Sequence, residues 1–192
     1  TAALKWPDSP ALIENGRQWT FAELWSEARA AIAACLAQGI GEGDRVAIWA
    51  PNSRLWVLAA IGAMGAGAAV VPLNTRYKGR EAGDILRRTK ARILFTVDDF
   101  LGTDYPALIQ HEDLPALKRI IYFDKDWSGF LAEGDIFDPA VDAALAQCRA
   151  DDVSDIMFTS GTTGDPKGVT YTHRSNYLHT AHLLQADVMG LR

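Results

Sequence analysis

Cysteine is scarce in this 192-residue chain: only Cys35 and Cys148 occur, far apart and with no second Cys or His at zinc spacing beside either. That excludes a disulfide framework and a small zinc module, and a reduced, cytoplasmic setting is expected. Positive charge is short as well, with 19 Lys and Arg against 24 Asp and Glu and a formal net charge of −5. No stretch clusters Lys and Arg with interleaved aromatics, so nucleic acid is not expected as a main partner. Long apolar runs are missing too. The uncharged stretch from Leu55 to Thr75 is interrupted by Gly62, Gly65, Gly67 and Pro72 and is rich in weakly apolar alanine. It therefore reads as a buried helix followed by a buried strand, not as a transmembrane segment. No cleavable signal is visible at the amino end.

What is present has globular proportions, 48% hydrophobic and 22% charged, enough to bury a sizeable core. The chain opens on Thr1 and stops at Gly190-Leu191-Arg192 directly after a helix-like segment. It is therefore expected to be part of a longer protein.

Along the chain, Thr20-Phe21-Ala22-Glu23 has the form of a capping box, and Leu24, Trp25, Ala28, Ile32, Cys35 and Leu36 follow at helical spacing up to a terminating Gly39. Arg45 to Ala50 is a short apolar run of the kind buried on both faces of a sheet. Pro51-Asn52-Ser53 turns the chain and caps a helix through Trp56, Leu58 and Ile61, after which Ala68 to Val71 reads as a strand. A helix from Arg80 to Thr89 and strands at Arg92–Val97 and Arg119–Phe123 continue the alternation. The segment from Asp124 to Asp152 has weak periodicity and is expected to wind over the surface, leading into a last strand, Ser154–Thr159. Alternating strands and helices require crossovers, hence an α/β fold with a largely parallel sheet and helices on both faces.

The chemistry is concentrated after that strand. Thr159-Ser160-Gly161-Thr162-Thr163-Gly164-Asp165-Pro166-Lys167-Gly168-Val169 packs three glycines, four hydroxyls and a lysine into eleven residues. Glycines let backbone N–H groups converge on an anion, hydroxyls add donors, and Lys167 supplies a compact positive charge. The nucleotide-hydrolase phosphate loop needs Gly before its lysine and Ser or Thr after it, where Pro166 and Gly168 stand here. The dinucleotide fingerprint fails as well, because Gly161 and Gly164 are three apart.

Other candidates are read as structural. His173 caps or packs near the next helix. His179 and His182 lie three apart on that helix but lack a third ligand, so no metal site is assigned. Asp151, Asp152 and Asp155 form a solvated approach to the strand. Trp25, Trp49, Trp56 and the Gly65 to Asn74 segment are packing.

The loop closely resembles the signature phosphate loop of the adenylate-forming superfamily, which includes acyl-CoA synthetases, firefly-type luciferases and peptide-synthetase adenylation domains. Thr172-His173-Arg174 continues it in the style of the acyl-CoA synthetases, and Gly43 to Ile48, Gly65 to Asn74, Glu81 and Leu86 extend the likeness over nearly the whole chain. The resemblance implies that residues 1–192 are a partial amino-terminal domain, with the remainder of that domain and a small carboxy-terminal domain absent. It implies an AMP-forming carboxylate-CoA ligase, of the fatty acid-CoA ligase type used in fatty acid metabolism. Its substrates would be ATP with Mg2+, a small-molecule carboxylic acid and coenzyme A, with Thr159, Ser160, Gly161, Thr162, Thr163, Gly164 and Lys167 binding the phosphates. No catalytic residue is expected within this stretch, and the chain alone is expected to be inactive. An amino-acid-adenylating domain that loads a carrier protein and a stand-alone phosphate-binding module are the alternatives. The particular acid and a homo-oligomeric state are left open.

Overall fold

The computed structural model describes residues 1–159 and 166–184. A short helix, α1 (Ala2–Lys5), leads to a hairpin of β1 (Pro10–Glu14) and β2 (Arg17–Thr20). It turns at Asn15-Gly16, where both residues have positive φ, 51° and 79°. That pairing matches the twist of the flanking strands, and it is why Asn-Gly stands there.

Thr20 and Glu23 then exchange side-chain to backbone hydrogen bonds of 3.2 and 2.8 Å, as the capping-box pattern predicts. They start α2 (Phe21–Ala37), which ends where Gly39 turns to φ +68°. β3 (Arg45–Trp49), α3 (Arg54–Gly65) and β4 (Ala69–Pro72) follow, with Ser53 capping α3 through the Trp56 amide. The Leu55 to Thr75 run is thus the expected helix and strand, and no helix among the described residues is long and apolar enough to cross a membrane. Next come α4 (Gly79–Thr89), β5 (Ile93–Thr96), α5 (Tyr105–Ile109) and β6 (Arg119–Tyr122).

The segment expected to wind over the surface instead holds two helices, α6 (Trp127–Ala132) and α7 (Pro139–Gln147). Trp127 and Phe130 are three apart and bury one face of α6, while Asp138 caps α7 from the position before Pro139. A short helix with one apolar contact per turn leaves too little periodicity to be read from a window of sequence. The described chain closes with β7 (Val153–Thr159), β8 (Lys167–Thr172) and α8 (His173–Leu183). β8 is a second departure, since the expectation passes straight from the loop to a helix.

The sheet runs in the order β6-β5-β3-β4-β7-β8, parallel throughout except for the antiparallel β7–β8 pair. Alternation along the strands divides the core. Val46, Ile48, Val70, Phe95 and Ile121 face α2, α3 and α6, whereas Ala47, Trp49, Val71 and Leu94 face α4 and α5. Helices therefore cover both faces, as a buried parallel sheet requires. α7 seats Val141 against Ile32 and Ala33 of α2, with Arg29 and Asp142 paired at 2.6 Å.

Candidate functional site

Ladder geometry decides where the loop lies. β7 runs parallel to β4 with Val70 opposite Asp155, so Thr159 reaches the same carboxyl-end edge of the sheet as Trp49 and Pro72. Ligands of parallel α/β sheets gather at that edge. β8 returns antiparallel and sets Phe158 opposite Gly168 and Thr159 opposite Lys167. Of the residues predicted to hold phosphate, Thr159 and Lys167 are therefore brought together, both exposed, at the top of a hairpin. Ser160, Gly161, Thr162, Thr163 and Gly164 lie outside the described residues.

Gly168 has a packing reason to lack a side chain. A Cβ there would come 3.1 Å from Phe158 Cζ and 3.4 Å from Ile156 Cγ2, so the ring covers the space opposite it. Phe158 and Ile156 in turn pack onto the α4 side of the core.

Two side chains, Tyr77 and Arg88, tie this hairpin to the edge, and two more hold the turn from which Tyr77 reaches it. Trp49 is fully buried, stacks on Tyr105 with centroids 4.5 Å apart, and donates Nε1–H to the Asn74 carbonyl at 3.0 Å. Tyr105 donates its hydroxyl to the Thr75 carbonyl at 3.1 Å. The turn after β4 is thereby held, and from it Tyr77 donates its hydroxyl to the Phe158 carbonyl at 3.2 Å. Burial, with Glu81 adding repulsion, pushes the Tyr77 phenol above its ordinary range, so it remains a donor at neutral pH. From α4, Arg88 Nη1 donates to the Pro166 carbonyl at 2.7 Å and to Asp84 at 3.2 Å, and its guanidinium lies 5.1 Å from the Phe158 ring centre. Sequence reasoning misses Tyr77 and Arg88. Arg88 sits one helical turn beyond Asp84, but no local signal shows that it reaches a residue 78 positions further on.

The structure separates the remaining candidates. Thr172 caps α8 through the Ser175 amide at 3.1 Å, and Arg174 takes Asp151 with two hydrogen bonds of 2.6 and 3.1 Å. That pairing holds the Asp151 carboxyl below the usual carboxylate range. Asp152 accepts the Arg149 amide, and Asp155 accepts from Ser154 and Asn176, so the three carboxylates serve different partners. His173 Nε2 lies 3.6 Å from Cys148 Sγ, and the His173 amide donates to the Asp152 carbonyl. Burial and then Asp152 push the Cys148 thiol up. His179 and His182 are exposed on α8, and no group of three potential metal ligands gathers among the described residues.

The fold is that of the amino-terminal domains of adenylate-forming enzymes. The family model for AMP-binding enzymes matches residues 1–190, and the chain belongs to that family. Over 175 residues it is 46% identical to the 3-[(3aS,4S,7aS)-7a-methyl-1,5-dioxo-octahydro-1H-inden-4-yl]propanoyl:CoA ligase of Mycobacterium tuberculosis, covering 88% of this chain and 34% of that protein. Among solved structures, an anthranilate CoA ligase, AuaEII, in complex with anthranoyl-AMP superimposes with a TM-score of 0.83 at 28% identity, covering 100% of this chain and 36% of that one. The amino-terminal domain of FACL13 from Mycobacterium tuberculosis gives 0.76 at 31% identity, covering 89% and 42%. This chain thus spans about a third, 34%, of the length of the mycobacterial propanoyl:CoA ligase it resembles.

Proposed function

We propose that this chain forms the amino-terminal part of an ATP-dependent, AMP-forming carboxylate-CoA ligase. When bound, Mg-ATP supplies the α-phosphate that a substrate carboxylate attacks with loss of pyrophosphate, and coenzyme A then accepts the acyl group with release of AMP.

The part of this chain is to bind and orient. Carboxylate and triphosphate repel each other, so their approach needs fixed donors and positive charge on the phosphates. Thr159 and Lys167 stand opposite each other at the carboxyl edge, and this is the observation that carries the reading. Lys167 offsets charge on the departing pyrophosphate, while Thr159, Ser160, Gly161, Thr162, Thr163 and Gly164 supply hydroxyl and amide donors. None of these groups is assigned a proton transfer, and no residue of this chain is assigned to Mg2+. The likeness to a propanoyl:CoA ligase with a fused-ring substrate favours an alicyclic acid.

The test uses the full-length protein of which this chain is the amino-terminal part. A panel containing fused-ring, aromatic and straight-chain acids is screened for AMP formation with and without coenzyme A. Acid-dependent thioester formation is expected, and acyl transfer only to a carrier protein would replace the reading with carrier loading. Lys167→Ala should raise the KM for ATP by about tenfold or more, the loss of one charge-assisted contact of roughly 1.5–3 kcal/mol. Unchanged ATP affinity and turnover would remove the phosphate-binding assignment. The chain by itself is expected to release no pyrophosphate.

A further inference from the structure

Lys167 begins a strand, so its direction depends on how the residue before it is held. That residue is Pro166, which has no N–H and offers one backbone polar group, its carbonyl. Arg88 Nη1 donates to that carbonyl at 2.7 Å. The same guanidinium is braced by Asp84, one turn earlier on α4, and lies over the ring of Phe158, the residue opposite Gly168 in the hairpin. One side chain therefore touches both legs of the hairpin next to the Thr159–Lys167 pair. Tyr77 holds the Phe158 carbonyl as well, so β7 has a second tether. No second side chain among the described residues is hydrogen-bonded to Pro166 or Lys167.

We propose that Arg88 is a positioning residue for nucleotide binding: it fixes the Pro166 shoulder and so aims Lys167. The inference rests on the reading of the loop as a phosphate cradle. A planar guanidinium presents fixed donors to a carbonyl and a carboxylate while its face lies over an aromatic ring, a pre-organised geometry that a lysine ammonium lacks. With Arg88 in place Pro166, and with it the start of β8 at Lys167, is held before nucleotide arrives. Without it, binding bears the ordering cost, and the loss falls on ATP affinity. The Arg88 side chain is 42% exposed, so its replacement leaves the core untouched.

The experiment compares Arg88→Met, Arg88→Lys and Lys167→Ala in the full-length protein, reading KM for ATP, KM for the acid, kcat and the unfolding temperature. Arg88→Met is expected to raise the KM for ATP by about tenfold, with the acid KM unchanged and unfolding within about 2 °C of the parent. Arg88→Lys, which keeps the charge and N–H donors but not the planar fork, should recover part of the loss. If Arg88→Met leaves the KM for ATP within about twofold while Lys167→Ala raises it, the positioning role is refuted and the cradle stands. If Arg88→Met shifts both KM values alike and lowers the unfolding temperature, Arg88 is merely structural and the proposal falls. If Lys167→Ala also leaves ATP binding unchanged, the cradle reading itself fails.

Discussion

Replacing Gly62 by alanine sets two effects of opposite sign against each other, and the packing of α2 on α3 decides between them. In a helix interior, Gly→Ala ordinarily gains about 0.8–1.0 kcal/mol. Here the new Cβ would stand 2.8 Å from Ala31 Cβ and 3.0 Å from both the carbonyl carbon and oxygen of Ala31. No side-chain rotation can relieve a contact with a methyl and a backbone carbonyl, so the helices must separate. Overpacking of this kind costs about 1–3 kcal/mol, and a clash against backbone belongs at the upper end. The net expectation is a loss of about 2 kcal/mol, which lowers the unfolding temperature by roughly 4–8 °C in a chain of this size. Gly129 in α6 is the control, because nothing lies within 4 Å of its hypothetical Cβ. Gly129→Ala should gain about 0.5–1 kcal/mol from helix propensity alone. Thermal unfolding of both variants beside the parent is the assay. An unfolding temperature for Gly62→Ala at or above the parent's would refute the close approach of the two helices.

Two further outcomes rest on buried groups. Burial pushes the Cys35 thiol from 9.0 up to about 12. The unfolded chain loses this proton near pH 9 while the folded chain keeps it, so stability is fully present below that pH. It then falls by up to about 1.4 kcal/mol per pH unit as the pH climbs toward 12. Urea midpoints measured up to about pH 11 should show the decline, and Cys35→Ala should flatten it while lowering the baseline; equal slopes would discard the burial argument. Thr96 is fully buried and donates its hydroxyl to the Trp49 carbonyl at 2.9 Å. Thr96→Val keeps the shape and removes the donor, so a loss of about 1 kcal/mol is expected as a lower urea midpoint with an unchanged slope, and an unmoved midpoint would contradict it.

Elements whose signals are local were legible in the sequence. The capping box at Thr20 and Glu23, the buried run Arg45 to Trp49 and the helix and strand within Leu55 to Thr75 all appear where the pattern places them. Each is decided by contacts within one turn or by a continuous apolar face. The β1–β2 hairpin was missed although Asn15-Gly16 marks its turn, because its strands lack a strict apolar alternation and Ile13 is exposed. β8 was missed for a related reason. Its residues are mostly exposed, and one of them, Gly168, owes its identity to a ring on the opposite strand. At the candidate site, the glycine and hydroxyl pattern announced the loop, but Arg88 and Tyr77 act across 78 and 81 positions of chain. Such contacts are properties of the folded sheet and leave no spacing to read.

The cross-strand register of β7 and β8 also sets a rule for changes of length. Side chains on a strand alternate sides, so deleting one residue between Lys167 and Thr172 would turn every later one over. Deleting Gly168 itself would bring Val169 opposite Phe158 and put a Cβ into the space its ring covers. Along β8, away from Gly168, exchanges of residue type are therefore expected to be accepted more readily than insertions or deletions.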